Sequence, residues 1–332
     1  MMNSSIYNLF CTLRETANTS NDSYSVNSLP NLEQHKIGIS TEGYPMFFVH
    51  CSGSGGAINI NLELISILFN QSCILTQNNK TYSGNYTIIS LKTEDVDMQK
   101  YFLDTVFIVI KSLPSAVNIS HLKKELEKLI QLFSSFTKPP VKTIQGLWAE
   151  LLVIEQSHDP EYLIRSWHID THDKFDFNDG IDKIEVKSTT RERRIHQFSL
   201  GQLNPNNSSK LLIASILITE CGVGKSVYDL IDLIALRLTD ISLLLKISEV
   251  IAQTIGTDYL RASEIYFDYS KAIDSLSFYD YRAIPSIPID LIPSSVSNIK
   301  FDSDLTTVNC ISEHELDNLQ SNLFNNIVRL WH

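Results

Sequence analysis

The stretch KFDFNDGIDKIEVK, residues 174–187, most constrains the fold, because two alternating runs flank an Asp-Gly pair. Phe175 and Phe177 alternate with polar residues in the first run, and Ile184 and Val186 do so in the second. Alternation with a period of two is typical of half-buried strands. Asp-Gly favours a tight turn because glycine tolerates the backbone conformation that the turn requires. The stretch therefore predicts an antiparallel β-hairpin.

The register of this hairpin decides which side chains share a face. If the Asp-Gly pair forms a two-residue turn, Asp176 lies opposite Lys183 and diagonal to Glu185, roughly 7–8 Å away at the backbone. Lys187 then projects from the same face. A three-residue turn would instead separate the two carboxylates. We expect the carboxylates to converge on one divalent cation, although alternating polar residues are also typical of a solvent-exposed sheet face.

The run GLWAELLVI, residues 146–154, lies upstream and is apolar almost all round, which predicts a buried helix. Its single charge, Glu150, needs a partner, because an unpaired buried carboxylate is costly. A metal ion or a cation near a metal site would be such a partner. The alternatives are a glutamate that reaches the edge of the helix and a glutamate paired with a structural arginine.

Together these motifs resemble the core of the PD-(D/E)XK nucleases, with Glu150 on a helix, Asp176 ending a strand and Glu185-Val186-Lys187 on the next strand. The order GLWAELL, a Trp, DF, EVKST and HxxSxxQL is also similar to bacterial PD-(D/E)XK motif proteins found beside restriction-modification genes. The matching part spans about residues 146–203. Phe175 replaces the proline of the family's name.

The resemblance implies an α/β (α+β) fold with a restriction-endonuclease-like core, in which helices flank a mixed central sheet. A β-rich amino-terminal domain precedes this core, and a mostly helical carboxy-terminal region packs on it. We place the recognition or assembly domain at residues 1–138, the nuclease-like core at 139–222 and the carboxy-terminal region at 223–332.

The resemblance also implies site residues. Two carboxylates and one main-chain carbonyl would bind Mg²⁺, or Mn²⁺ in its place: Asp176, Glu185 and Val186. Three side chains around them would be catalytic: Lys187, Glu150 and Gln202. Lys187 would contact the attacking water or the phosphate, as an ammonium that offsets charge or as a base, and Gln202 would orient it. Glu150 would hold a water or a second ion.

Polar and basic residues downstream are candidates for DNA binding: Ser188, Thr189, Arg191, Arg193, Arg194 and His196. The net charge of −11 counts against indiscriminate coating of nucleic acid, because phosphate contacts dominate such binding. Residues 183–196 nevertheless contain five Lys or Arg against two Glu, beside the proposed site. The alternative for the arginines is an exposed helical start, since a helix is predicted from about Arg193 to Leu203.

Localisation is expected to be cytoplasmic. No apolar run reaches the roughly 18 residues that span a bilayer, and Met1–Glu15 lacks the basic start and apolar centre of a signal peptide. The five cysteines are scattered and form no C-x-x-C pair, so neither structural zinc nor a disulfide framework is expected.

Periodicity predicts the remaining elements, with residues 1–35 as helix fragments and loop. Helices are predicted at residues 97–111, 120–136 (capped by Ser120), 142–156, 226–238, 240–255 and 313–331. Strands are predicted at residues 37–39, 46–50, 58–64, 73–76, 86–91, 210–219 and 299–309. The segment GVGKS, residues 222–226, resembles a phosphate-binding loop, but Thr219 stands where the full pattern requires glycine. Ser226 as a helix cap, with Asp229 three residues on, also explains this segment.

The resulting hypothesis is a Mg²⁺-dependent DNA endonuclease of bacterial restriction or anti-phage defence. Its expected partners are double-stranded DNA, a methyltransferase or helicase/ATPase of the same system, and a second copy of the chain, with no membrane. The alternative is a catalytically silent nuclease fold that binds DNA or assembles a defence complex. A third reading, an NTPase, rests only on the incomplete loop at residues 222–226.

Overall fold

A computed structural model describes the chain over residues 4–17, 23–52, 58–114, 117–168, 174–205, 209–240 and 242–327. Backbone contacts divide it into two compact units, Met1–Pro139 and Pro140–His332. Within the described ranges, every helix is too short or too polar to cross a bilayer.

The first unit is rich in β-structure. Its helices are α1 (Ser4–Thr16), α2 (Val96–Ser112) and α3 (Ile119–Ser135). Its strands are β1 (Tyr24–Leu29), β2 (Leu32–Ile39), β3 (Pro45–Val49), β4 (Ile60–Asn61), β5 (Ile65–Gln77) and β6 (Lys80–Leu91). They form one sheet in the order β1-β2-β3-β6-β5-β4, and β1 also pairs with β5 in parallel.

The interior of this sheet is built from alternate strand residues, including Val26, Phe48, Leu75 and Ile88. The predicted helices of the unit are confirmed, but Asn118 rather than Ser120 caps α3. Two expectations are wrong. Residues 1–35 contain β1 and the start of β2, and the alternating run at 58–64 forms only the short β4.

The second unit mixes helices and strands. Its helices are α4 (Ile144–Gln156), α5 (Pro160–Ser166), α6 (Val227–Ala235), α7 (Ser242–Ile255), α8 (Tyr259–Glu264), α9 (Tyr269–Ser275), α10 (Glu313–Asn318) and α11 (Asn322–Asn325). Its strands are β7 (Phe177–Asn178), β8 (Lys183–Thr189), β9 (Ile195–Ser199), β10 (Leu211–Leu217), β11 (Glu220–Cys221), β12 (Tyr266–Phe267), β13 (Ser277–Asp280) and β14 (Lys300–Asp304).

The central sheet of this unit has the order β13-β10-β8-β7 and is mixed, since β10 is parallel to β8 and antiparallel to β13. The predicted α/β (α+β) fold class is thereby confirmed. Helix α4 is buried along most of its length, as its apolar sequence predicts, and it packs against β8 and α6. It begins where the Thr143 side chain accepts a hydrogen bond from the Gly146 backbone.

The hairpin exists, but its predicted register is wrong by two residues. Phe177 pairs with Ile184 and Asn178 with Lys183, which leaves residues 179–182 as a four-residue turn. The Asp179 carboxylate accepts hydrogen bonds from two turn amides, and Gly180 adopts a φ of +92°. These local bonds stabilise the longer turn. Because side chains alternate with a period of two, a shift of two residues leaves every side chain on its predicted face.

The helix predicted from Arg193 to Leu203 is wrong. Ile195–Ser199 is strand β9, antiparallel to β14, and only the four residues that follow, Leu200–Leu203, form a 3₁₀ helix. His196 and Phe198 point inward and are buried. The strand partner lies about a hundred residues downstream, so no local pattern reveals it. Strand β14 itself confirms the strand predicted within residues 299–309.

The carboxy-terminal prediction needs a similar correction. The single helix expected at residues 313–331 is divided into α10 and α11, and the described part of the chain ends at residue 327.

Candidate active site

One cavity of the second unit, about 550 Å³ in volume, collects the residues predicted to be metal ligands or catalytic groups. All six line it: Glu150, Asp176, Glu185, Val186, Lys187 and Gln202. The sequence brings them from four places, namely the middle of α4, the residue before β7, strand β8 and the 3₁₀ helix after β9. The acidic residues therefore converge, as expected if Asp176 and Glu185 project from the same face of the hairpin.

The Lys142 ammonium joins the acidic residues of two elements. Its Nζ lies 2.6 Å from Oε1 of Glu150 and 2.6 Å from Oδ1 of Asp176. On the other side, the indole Nε1 of Trp167 donates to Oε2 of Glu150 at 2.8 Å. The cation partner that a buried Glu150 requires is therefore a lysine that precedes the same helix.

The backbone of β8 fixes Asp176. The Val186 amide donates to Oδ2 of Asp176 at 2.8 Å, while Oδ1 receives Lys142. Asp176 itself precedes β7, so its carboxylate crosses from one arm of the hairpin to the other. Both of its oxygens are thus held in a defined orientation.

Lys187, Glu185 and Gln202 form a second hydrogen-bonded group in the cavity. Lys187 Nζ lies 2.8 Å from Oε1 of Glu185 and donates to Oε1 of Gln202 at 3.3 Å. The Gln202 amide nitrogen donates to the same Glu185 oxygen. Gln202 is held in turn by the Ser199 backbone amide, at 2.9 Å, in a capping box at the start of the 3₁₀ helix. This geometry supports the predicted role of Gln202 in orienting Lys187.

The buried carboxylates repel one another. Burial, and then the charge of Asp176, raise the pKa of Glu150 to about 8, against the opposing effects of Lys142 and Trp167. Burial and Asp176 likewise raise the pKa of Glu185 to about 7, against Lys187. Although burial lowers the pKa of Lys142, the two carboxylates that it contacts raise it above the ordinary value. The three carboxylates are thus paired directly with two ammonium groups, those of Lys142 and Lys187.

This donor set fits a hard divalent cation. Within the described residues, no group of three or more His, Cys, Asp or Glu side chains is arranged to enclose a metal ion. Mg²⁺ does not require such a cage, because it binds through one or two carboxylates and completes its octahedron with waters and substrate phosphates. Asp176 and Glu185, with the Val186 carbonyl beside them, match that requirement, and a cation would relieve the repulsion that raises both glutamate pKa values.

Two residues predicted to bind DNA make packing contacts within the second unit. Arg194 donates to the Ser215 carbonyl and hydroxyl, at 2.8 Å each, and to the Ser275 carbonyl. His196 is 3 % exposed and lies 2.7 Å from the Ser215 hydroxyl. Burial, with the charges of Lys187 and Arg194, lowers the pKa of His196 to about 4. Both side chains contact Ser215 of β10, and their role in DNA binding stays a prediction.

The other four candidates for DNA binding have different surroundings. Ser188 accepts a hydrogen bond from Gln145 at 3.0 Å, and Thr189 is buried. Arg191 and Arg193 are exposed, and Arg193 pairs with Asp304. None of the four lines the cavity. Their role in DNA binding stays a prediction, and it suits the two exposed arginines better than the buried threonine.

Four residues of this site were not among the predicted site residues: Lys142, Trp167 (the Trp of the motif order above), Lys174 and Lys300. Lys174 and Lys300 line the cavity, and the Lys174 side chain packs on the backbone of Gly201. The need of Glu150 for a cation was a signal for Lys142, eight positions upstream, but spacing could not choose it over other basic residues. Lys300 belongs to a strand whose pairing is invisible in the sequence.

The glycine-rich segment at 222–226 has a structural explanation. A Cβ on Gly224 would lie 2.1 Å from the Phe267 carbonyl oxygen, so the backbones approach too closely for any side chain. The Lys225 amide donates to that carbonyl, and the Lys225 carbonyl accepts from Trp148. Ser226 and Asp229 form the predicted capping box of α6. Packing and helix capping therefore explain this segment, and nothing in its geometry supports the NTPase hypothesis.

Comparison with known proteins gives a family match for the chain. The family described as "Putative PD-(D/E)XK family member, (DUF4420)" matches residues 15–306, which is most of the chain. No curated protein matches the chain. No solved structure matches it either.

Proposed function

Since the chain belongs to this PD-(D/E)XK family, a family of nuclease type, we propose that it is a Mg²⁺-dependent DNA endonuclease. It hydrolyses phosphodiester bonds in double-stranded DNA, and its biological setting is bacterial restriction or anti-phage defence. Mn²⁺ replaces Mg²⁺. We further propose that the protein acts in the cytoplasm as a homodimer, together with a methyltransferase or a helicase/ATPase of the same system.

The observation that carries the proposal is the convergence of Glu150, Asp176, Glu185 and Lys187 in one cavity. Buried carboxylates are costly to a fold, and titratable groups with perturbed pKa values cluster at functional sites, so this group of residues supports a metal-binding or catalytic role. Lysines at the same cavity, Lys142, Lys174 and Lys300, suit a polyanionic substrate. This local basic character offsets the acidic charge of the whole chain.

The ion would be held by Asp176, Glu185 and the carbonyl of Val186. The chemistry supplied by bound Mg²⁺ is stabilisation of the phosphate charge and activation of the attacking water. In hydrolysis the water oxygen forms a bond to phosphorus while the bond from phosphorus to one deoxyribose oxygen breaks. The water gives up a proton, and the leaving oxygen takes one up.

Lys187 acts on this reaction as an ammonium. Glu185 and Gln202 both present oxygen acceptors to its Nζ, an arrangement suited to a charged donor. The ammonium offsets the negative charge that develops on the phosphate in the transition state. Gln202 positions it, since its own carbonyl is fixed by the Ser199 amide. Glu150, anchored by Trp167, would hold a water or a second ion.

The alternative function is a catalytically silent nuclease fold that binds DNA or assembles a defence complex. The hydrogen-bonded Lys187–Gln202 pair favours catalysis, because a scaffold does not require a lysine in this environment. Calorimetry with Mg²⁺ distinguishes the two, since a silent protein need not bind the ion.

Incubation with supercoiled plasmid, methylated and unmethylated, tests the proposal. Wild type should cleave with Mg²⁺ and stop when a chelator is added. Asp176→Ala and Lys187→Ala should abolish cleavage while circular dichroism shows a folded protein. Lys183→Ala is the matched control, because this lysine lies on the same strand, bonds to Ser209 and does not line the cavity. Cleavage that survives both active-site substitutions would overturn the proposal.

A further inference from the structure

Lys142 occupies a place that a divalent cation would contest. Its ammonium lies 2.6 Å from an oxygen of Glu150 and 2.6 Å from an oxygen of Asp176. The other oxygen of Asp176 is bound to the Val186 amide. An ion that uses Asp176 as a ligand therefore meets an oxygen that already has a cationic partner.

The lysine side chain is far more exposed to solvent than the two carboxylates that it contacts. Its side chain is 40 % exposed, while those of Glu150 and Asp176 are 5 % and 10 % exposed. The Glu150 carboxylate is further anchored by Trp167. A lysine has a flexible four-carbon stem, so its ammonium can withdraw to solvent without disturbing its backbone.

The backbone of Lys142 is itself fixed. The amides of Val141 and Lys142 both donate to the Thr254 carbonyl, at 2.8 and 3.2 Å, and the next residue, Thr143, caps α4. The fixed backbone keeps the ammonium within reach of the carboxylates, so that it competes with a free ion at a high effective concentration.

We propose that Lys142 is a tethered competitor of the divalent cation, which holds Glu150 and Asp176 together in the metal-free protein and is displaced when the ion binds. The proposal rests on the ion-dependent function above and adds a regulation of that site. Its consequence is that metal affinity is set below what the carboxylates alone would provide. The lysine also protects the fold, because without it two buried carboxylates would repel each other until an ion arrives.

Calorimetry with MnCl₂ tests this proposal on the full chain. Lys142→Met removes the competing charge and retains much of the apolar stem, so Mn²⁺ should bind at least about tenfold more tightly than to wild type. Lys142→Arg keeps a cation and should not tighten binding. Lys174→Met, a lysine of the same cavity whose stem packs on Gly201, should change the affinity by less than about threefold.

Thermal unfolding gives a second readout that does not depend on activity. Metal-free Lys142→Met should melt below wild type, and saturating Mn²⁺ should raise its melting temperature by more than it raises that of wild type. This comparison remains possible if the variant is only partly folded without metal. Equal or weaker Mn²⁺ binding by Lys142→Met, with binding by wild type intact, would overturn the inference and leave the proposed function standing. Absence of binding to either protein at millimolar Mn²⁺ would overturn both.

Discussion

Two buried tryptophans allow the carboxylate at the centre of the site to be tested by a matched pair of substitutions. Trp167 donates its indole N–H to Glu150 at 2.8 Å, and Trp148 donates its own to the Lys225 carbonyl at 2.9 Å. Both rings are almost fully buried, and each packs beside one phenylalanine. Replacing either by phenylalanine removes the same atoms, so the cost of the lost volume largely cancels in the comparison.

The expected difference follows from the two acceptors. A hydrogen bond to a charged group contributes about 1.5–3 kcal/mol and a neutral one about 0.5–1.5 kcal/mol. Trp167→Phe should therefore destabilise the protein by about 1–2 kcal/mol more than Trp148→Phe when Glu150 is ionised. Because the pKa of Glu150 is raised to about 8, this excess should be complete at pH 9 and small at pH 6.

The assay is urea unfolding of both variants and wild type, without metal, followed by far-ultraviolet circular dichroism at pH 6 and pH 9. Circular dichroism is preferred because the substitutions alter tryptophan fluorescence directly. Equal penalties for the two variants at pH 9, or an excess that does not shrink at pH 6, would refute the view that Trp167 supports an ionisable, buried Glu150.

Three further predictions concern the rest of the second unit. Between pH 6.5 and 8.5 the free energy of unfolding of the metal-free protein should fall by about 1–3 kcal/mol, because the raised pKa values of Glu150 and Glu185 make the folded state bind more protons than the unfolded chain. Mg²⁺ should flatten this fall in urea titrations, and an increase in stability with pH would contradict it. Gly224→Ala should destabilise by at least about 2 kcal/mol because its Cβ meets the Phe267 carbonyl, whereas Gly222→Ala, in open space, should stay within about 0.5 kcal/mol; equal melting curves would refute the packing explanation. His196→Ala should lower the free energy of unfolding by about 2–4 kcal/mol and leave DNA affinity in filter binding unchanged. Arg191→Ala should leave stability unchanged and weaken DNA binding. Weaker DNA binding by a folded His196→Ala would contradict the first expectation and support the predicted contact of His196 with DNA.

The site was more predictable than the fold that presents it. Period-two alternation placed Asp176 and Glu185 on one face, and this held despite the wrong register, because a two-residue shift preserves faces. The apolar run around Glu150 predicted a buried carboxylate with a partner, which the structure confirms. Both inferences used only local periodicity and the cost of burying a charge.

The wrong predictions concern elements that form through contacts between residues far apart in the sequence. The segment 195–199 is a strand because β14 pairs with it from about a hundred residues away, and its short polar sequence carries no signal of that partner. The contacts of Arg194 with Ser215 and Ser275 likewise join residues that lie far apart in the sequence, so no local pattern predicts them. Lys142 could not be singled out for the same reason: burial of Glu150 predicts a cationic partner, but only the folded chain shows which lysine it is.

Crystals soaked in MnCl₂ and measured by anomalous diffraction test the central claim most directly, because they locate the ion. An anomalous peak is expected in the cavity, at about 2.0–2.6 Å from carboxylate oxygens of both Asp176 and Glu185. A well-occupied peak elsewhere, with none at these two carboxylates under saturating Mn²⁺, would contradict it.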